Sequence, residues 1–234
     1  LKGKLVSLIS NEPHLGERLE VHSVQAIGMR LYELNFGRPS IVSEEIIERL
    51  LLDAARKTEA ERFSRRFLMN EWLEVVDAWQ LGTWEEYRDV RRLGRKTRLP
   101  AKQRAALWDV FSHVQSVLSR RNLITYSQLF GRLASWFENK PSPLEFVVVD
   151  ESQDVSVAQL RFLAALGAGR PNSLFFAGDL GQRIFQQPFS WKALGVDVRG
   201  RSRTLRINYR TSHQIRTQAD RLLDPELADV DGNS

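Results

Sequence analysis

Asp150 and Glu151 stand side by side where the apolar run FVVV gives way to DESQD. A buried parallel strand that delivers an Asp and a Glu to its carboxyl end is how phosphate-transfer enzymes place a magnesium ligand next to a water-activating base. In that reading Asp150 holds the metal and Glu151 orients the water. The same acidic pair equally suits the N-terminus of the next helix, where carboxylates are favoured. A second apolar run, LFFAGD, ends in Gly178 and Asp179, and a glutamine, Gln182, follows three residues after that acid.

These residues need elements that bring them together. FVVVD is β-branched and too apolar for a half-exposed strand, so it is expected to be a central parallel strand. VSVAQLRFLAALGAG follows as a helix stopped by glycines, LFFAGD as a second buried strand and RTLRINYR as a third. Strand, helix and strand in that order make a βαβ unit, whose ligands bind beyond the carboxyl ends of the strands. Upstream, LEVHS reads as a strand leading into a helix through VQAIGMRLY. From Pro39 the texture is helical: Ser43 can cap a helix, Thr58 and Glu61 have capping-box spacing, and helical periodicity continues over 61–80 and 102–119. The pattern returns to helix-strand alternation after Asn122.

Composition narrows the chemistry. The chain has 234 residues, no cysteine and four scattered histidines, which removes disulfides, thiol nucleophiles and cysteine-based zinc sites. Its net charge of +5 and pI of about 9.7 suit a polyanionic partner. Without a secretory leader or a run of about 18 apolar residues, the chain reads as a soluble intracellular protein. A nuclease would also combine paired acids with basic surface, but it needs a lysine shortly after the acids, and none follows Asp150 until Lys192.

DESQD, GDLGQRIF and LRINYRTSHQI together resemble motifs II, III and IV of the UvrD/Rep-type helicases of superfamily 1. The resemblance implies an α/β fold: a P-loop NTPase (RecA-like) parallel-sheet core, here incomplete, with an inserted mostly helical subdomain. It implies ATP and Mg2+ as cofactors, with magnesium on Asp150, water activation by Glu151, and nucleotide contact through Gln153 and Asp179. Gln182 would sense the γ-phosphate, Tyr209 would stack on adenine, and Arg210 would supply positive charge to the transferring phosphoryl group. VHSVQAIGMRLY is similar to the family's TFHS-type segment, which assigns single-stranded DNA contact to Ser23, Gln25 and Arg30. Phe185, Phe189 and Trp191 are the candidate faces for unstacked bases, with Trp191 the first choice. The basic stretch Arg88, Arg91, Arg92, Arg95, Lys96 and Arg98, with Trp84 and Tyr87 nearby, could follow a phosphate backbone.

One element of the family pattern is absent. No G-x-x-x-x-G-K-[ST] loop occurs; Gly3-Lys4 is followed by Leu5. The sequence is therefore expected to be an internal piece of a DNA helicase or translocase. Residues 1–40 and 122–205 would form the first motor domain, 41–121 the helical insertion, and 206–234 the start of the second motor domain. By itself the piece is expected to bind neither ATP nor Mg2+ productively and to be inactive. The parent would act on single-stranded DNA or duplex/single-strand junctions in the cytoplasm, at the nucleoid, with no membrane partner. A non-catalytic DNA-binding or docking module on a degenerate motor fold is the alternative, and the presence of both Glu151 and Arg210 weighs against it.

Overall fold

A computed structural model describes residues 13–90, 99–179 and 189–205, with Gly3, Ser7, Gln214, Thr217 and Gln218. The chain divides into two compact units, Leu1–Pro39 and Ser40–Ser234. The first contains α1 (Pro13–Arg18) and α2 (Val24–Phe36). LEVHS is not a strand. Ser23 ends it as the N-cap of α2, its Oγ accepting the Ala26 N–H at 3.1 Å, and Glu20 pairs with His22 and Arg30. Local side-chain bonds thus take the place of a strand ladder. At the other end Gly37, with φ of 82°, closes α2 by donating its N–H to the Glu33 carbonyl.

The second unit opens with a parallel bridge between Ile41 and Ile124. Between them run α3 (Glu44–Ala55), a 3-10 turn (Glu59–Arg62), α4 (Arg65–Glu71), a π-helical continuation (Trp72–Asp77), α5 (Trp84–Asp89) and α6 (Ala101–Arg120). The continuous helix expected over 61–80 is broken at Ser64, which caps α4 by accepting the Phe67 N–H. Thr58 caps the 3-10 turn through the Ala60 N–H. Leu51, Trp72, Val76, Tyr87, Leu107, Val110, Phe111 and Val114 form the centre of the core. Tyr87 meets Phe111 edge-on at 5.6 Å and stacks on Trp108 at 5.5 Å, while its hydroxyl donates to the buried Glu71 carboxylate at 2.7 Å. Tyr87 therefore offers no face to a nucleic acid. Arg88 pairs with Asp89, and the rest of the basic stretch, 91–98, lies outside the described residues.

Capping boxes start both helices that follow. Thr125 and Gln128 begin α7 (Tyr126–Phe137), and Ser156 and Gln159 begin α8 (Val157–Gly167). The two helices pack through Phe130 on Phe162 at 5.4 Å and Phe137 on Phe162 at 6.3 Å. β1 (Val147–Val149) pairs in parallel with β2 (Leu174–Phe176), Val148 opposite Phe175. Gly167 of α8 lies against the Leu174 side chain. The strands are not buried on both faces as expected: Val148 is 73% exposed, Phe146 71% and Phe175 63%. Among the described residues the sheet has two strands, and one of its faces is open. Arg203–Leu205 carries no strand, and 206–210 lies outside the described residues. Helix-rich, with one small parallel sheet, the chain is compatible with part of a helicase motor domain. Among the described residues no helix is long and apolar enough to cross a membrane.

Asp77 ties the π segment to α7. Its Oδ1 accepts the Thr125 hydroxyl at 2.6 Å, and Gln80 Nε2 donates to its backbone carbonyl at 2.6 Å. Burial pushes the Asp77 carboxyl above the ordinary aspartate range, against the opposing effect of hydrogen bonds from Thr125, Ser127 and Gln80. With the folded value raised above the unfolded one, the group's contribution to stability is fully present below the unfolded value and is lost as pH rises through the folded one. Asp77→Asn is expected to melt above the native chain at neutral pH, by a margin that shrinks on acidification. A margin that widens on acidification, followed by circular dichroism, would contradict this assignment.

Candidate active site at the strand ends

Val149, buried, is the last residue of β1. Asp150 and Glu151 leave the sheet together, and the Glu151 N–H donates to Asp150 Oδ1 at 3.0 Å. Glu151 adopts φ 52° and ψ 43°, a left-handed conformation that costs a non-glycine residue about 1–3 kcal/mol. Neighbouring bonds hold it there. The Ala177 N–H donates to the Val149 carbonyl at 2.8 Å and the Ser152 N–H to the Ala177 carbonyl at 2.9 Å, extending the strand pairing past β1 and β2 into the turn.

Gln153 closes the arrangement. It is 6% exposed, its Nε2 donates to Glu151 Oε2 at 2.6 Å, and its Oε1 accepts the Asp179 N–H at 3.1 Å. One carboxamide thus spans the ends of the two strands. Asp150, Glu151 and Asp179 remain exposed. Because β1 and β2 run parallel, all three acids follow the carboxyl ends of their strands. Gly178 sits where the two ends meet, close to Ser152 and Gln153.

Chemically, the turn offers hard oxygen donors beside a carboxylate restrained by a hydrogen bond. Among the described residues no group of three or more His, Cys, Asp or Glu side chains could hold a metal ion by itself. An exposed aspartate beside an open approach suits Mg2+, which binds through one or two carboxylates and takes its other ligands from water and phosphate oxygens. The donor set therefore fits that ion.

The remaining expected residues fall in three places. Gln182, Phe185, Tyr209 and Arg210 lie outside the described residues. Phe189 and Trp191 are buried, and Trp191 meets Phe176 of β2 edge-on at 4.8 Å. Ser23, Gln25 and Arg30 belong to the first unit: Ser23 caps α2, Gln25 is exposed on its first turn, and Arg30 pairs with Glu20. Sequence reasoning missed the parts played by the Ser152 amide, the Ala177 carbonyl and Gly178. The signal that could have found Gly178 was a glycine standing between an apolar strand and an acid.

A family model for the UvrD/REP helicase N-terminal domain matches residues 14–190. That span includes the helical core, both strands and the turn that carries Asp150, Glu151 and Gln153. No individual curated protein matches the chain. With most of its length and both strand ends inside the match, the chain belongs to the UvrD/REP helicase N-terminal domain family.

Proposed function

We propose that the chain supplies the magnesium and water-activating half of the ATP site of a UvrD/Rep-type DNA helicase, whose ATP hydrolysis drives movement on single-stranded DNA. The observation that carries this reading is the Gln153 carboxamide, which holds the Glu151 carboxylate and the end of β2 in one unit. Residues 1–40 and 122–205 would belong to a RecA-like motor domain, 41–121 to its helical insertion and 206–234 to the second motor domain. The parent would work in the cytoplasm, at the nucleoid.

Asp150 would hold Mg2+, and bound magnesium would neutralise phosphate charge as it develops. Glu151 would accept the proton of the attacking water, with its carboxylate restrained by Gln153. Asp179 would stand at the nucleotide's edge. Gln182, Tyr209 and Arg210 keep the roles of γ-phosphate sensing, adenine stacking and transition-state charge that their motifs imply. The lysine and backbone nest of a phosphate loop are not in this sequence, so the chain alone is expected to show no measurable ATP turnover.

The DNA contact would rest on Ser23, Gln25, Arg30 and Phe185. Phe189 and Trp191, whose rings are packed, would act on it indirectly. Fluorescence anisotropy with a labelled oligothymidylate should show weak binding that falls as salt rises. Trp191→Ala should weaken it indirectly, by loosening the end of β2 at a stability cost of about 3–5 kcal/mol. Salt-insensitive binding, or magnesium-dependent ATP turnover by the chain alone that survives Glu151→Gln, would remove the proposal.

A further inference from the structure

We infer that Gly178 is a positioning residue: its lack of a side chain lets the end of β2 close on Ser152 and Gln153, so that Gln153 can hold the Glu151 carboxylate and the Asp179 N–H at once. A Cβ at this position would lie 2.5 Å from Ser152 Oγ, 2.6 Å from Gln153 Oε1 and 3.1 Å from Gln153 N. Two of those approaches are far inside van der Waals contact. The Gln153 oxygen cannot swing aside freely, because it is the acceptor of the Asp179 N–H at 3.1 Å. Nor can the backbone recede easily, since Ser152 and Ala177 are joined at 2.9 Å just beside it.

Gly178 is not among the glycines with positive φ. The requirement is for room, and not for a backbone conformation forbidden to other residues. Any side chain at 178 would push the Gln153 carboxamide outward, and both of its bonds would go together. Glu151, held at φ 52°, would then lose the donor that fixes its carboxylate. A base whose carboxylate wanders still lets substrate bind but turns over slowly, because the proton acceptor must be in reach as the water attacks.

The geometry stands without any assumption about chemistry; its functional weight rests on reading Glu151 as the base. Gly178→Ala, Gln153→Ala and the double variant separate the two. In the 234-residue chain, the Asp179 amide proton should exchange at least about tenfold faster in each single variant, and no faster in the double than in the quicker single, because both changes break one bond. Hydrogen exchange read by NMR measures this, with the melting temperature as a control on folding. Native-like exchange in Gly178→Ala, or effects that multiply in the double variant, would overturn the inference. If Gly178→Ala fails to fold, adding Ser152→Gly and Gln153→Ala removes the two closest collisions and should restore folding; continued failure would also overturn it. In a helicase carrying this chain together with a phosphate loop, Gly178→Ala should lower kcat about tenfold with KM unchanged. A helicase in which Glu151→Gln leaves turnover intact would sink the reading of the base, while the exchange result would still decide the role of Gly178.

Discussion

Glu151→Gln should reduce ATP turnover on the order of 10²–10⁴-fold in a helicase that contains this chain and a phosphate loop, the range that loss of a positioned general base produces. Nucleotide affinity should stay within about twofold, because the substitution keeps shape and removes charge and basicity. The geometry favours such a separation. Gln153 Nε2 donates to a Glu151 oxygen, and a glutamine at 151 presents the same acceptor, so the turn and the Asp179 contact should survive. Single-turnover hydrolysis measures the first quantity and titration with a fluorescent nucleotide the second. Turnover within about tenfold of the native rate would assign proton transfer to some other group.

Phe111→Ala should lower stability steeply. Phe111 is fully buried, 6.1 Å from the Trp72 ring and edge-on to Tyr87 at 5.6 Å. Removing such a ring costs about 3–5 kcal/mol, because the cavity closes only in part. For a chain of this size, that corresponds to a fall in melting temperature of about 6–20 °C. The Glu71–Tyr87 hydrogen bond lies in the same core and should open with it. Thermal unfolding by circular dichroism is the measurement, and a fall smaller than about 3 °C would show that the core refills the space.

Much of this architecture was legible in the residues. VVV and LFF announced strands, and an acid directly after each run marked the end where the strands leave the core. The N-cap position of Ser43, the helical periodicity of α6 and the glycines at the end of α8 were legible from spacing alone, although the Ser43 side chain makes no capping hydrogen bond to the helix. What escaped was whatever depends on partners distant in sequence. An apolar strand predicts burial but not how many neighbours will cover it, so the exposure of Val148 and Phe175 was invisible. LEVHS alternates as a strand would, yet Ser23, Glu20 and Arg30 spend their polar groups locally. The two hydrogen bonds that link Gln153 to Glu151 and Asp179 exist only once β1 and β2 are side by side, so no spacing in the sequence announces them. For the same reason the burial of Trp191 was not legible, since its contact with Phe176 crosses from a loop to a strand.

The open face of the sheet governs how the chain behaves in bulk solution. Phe146, Val148 and Phe175 make an exposed apolar row on a molecule whose net charge is +5. At low ionic strength that charge keeps molecules apart. At about 0.1 M salt the repulsion is screened beyond about 10 Å, and sulfate, being excluded from apolar surface, drives such rows together. Turbidity at a fixed protein concentration should therefore begin at a lower concentration of ammonium sulfate than of sodium chloride, and cooling should delay its onset.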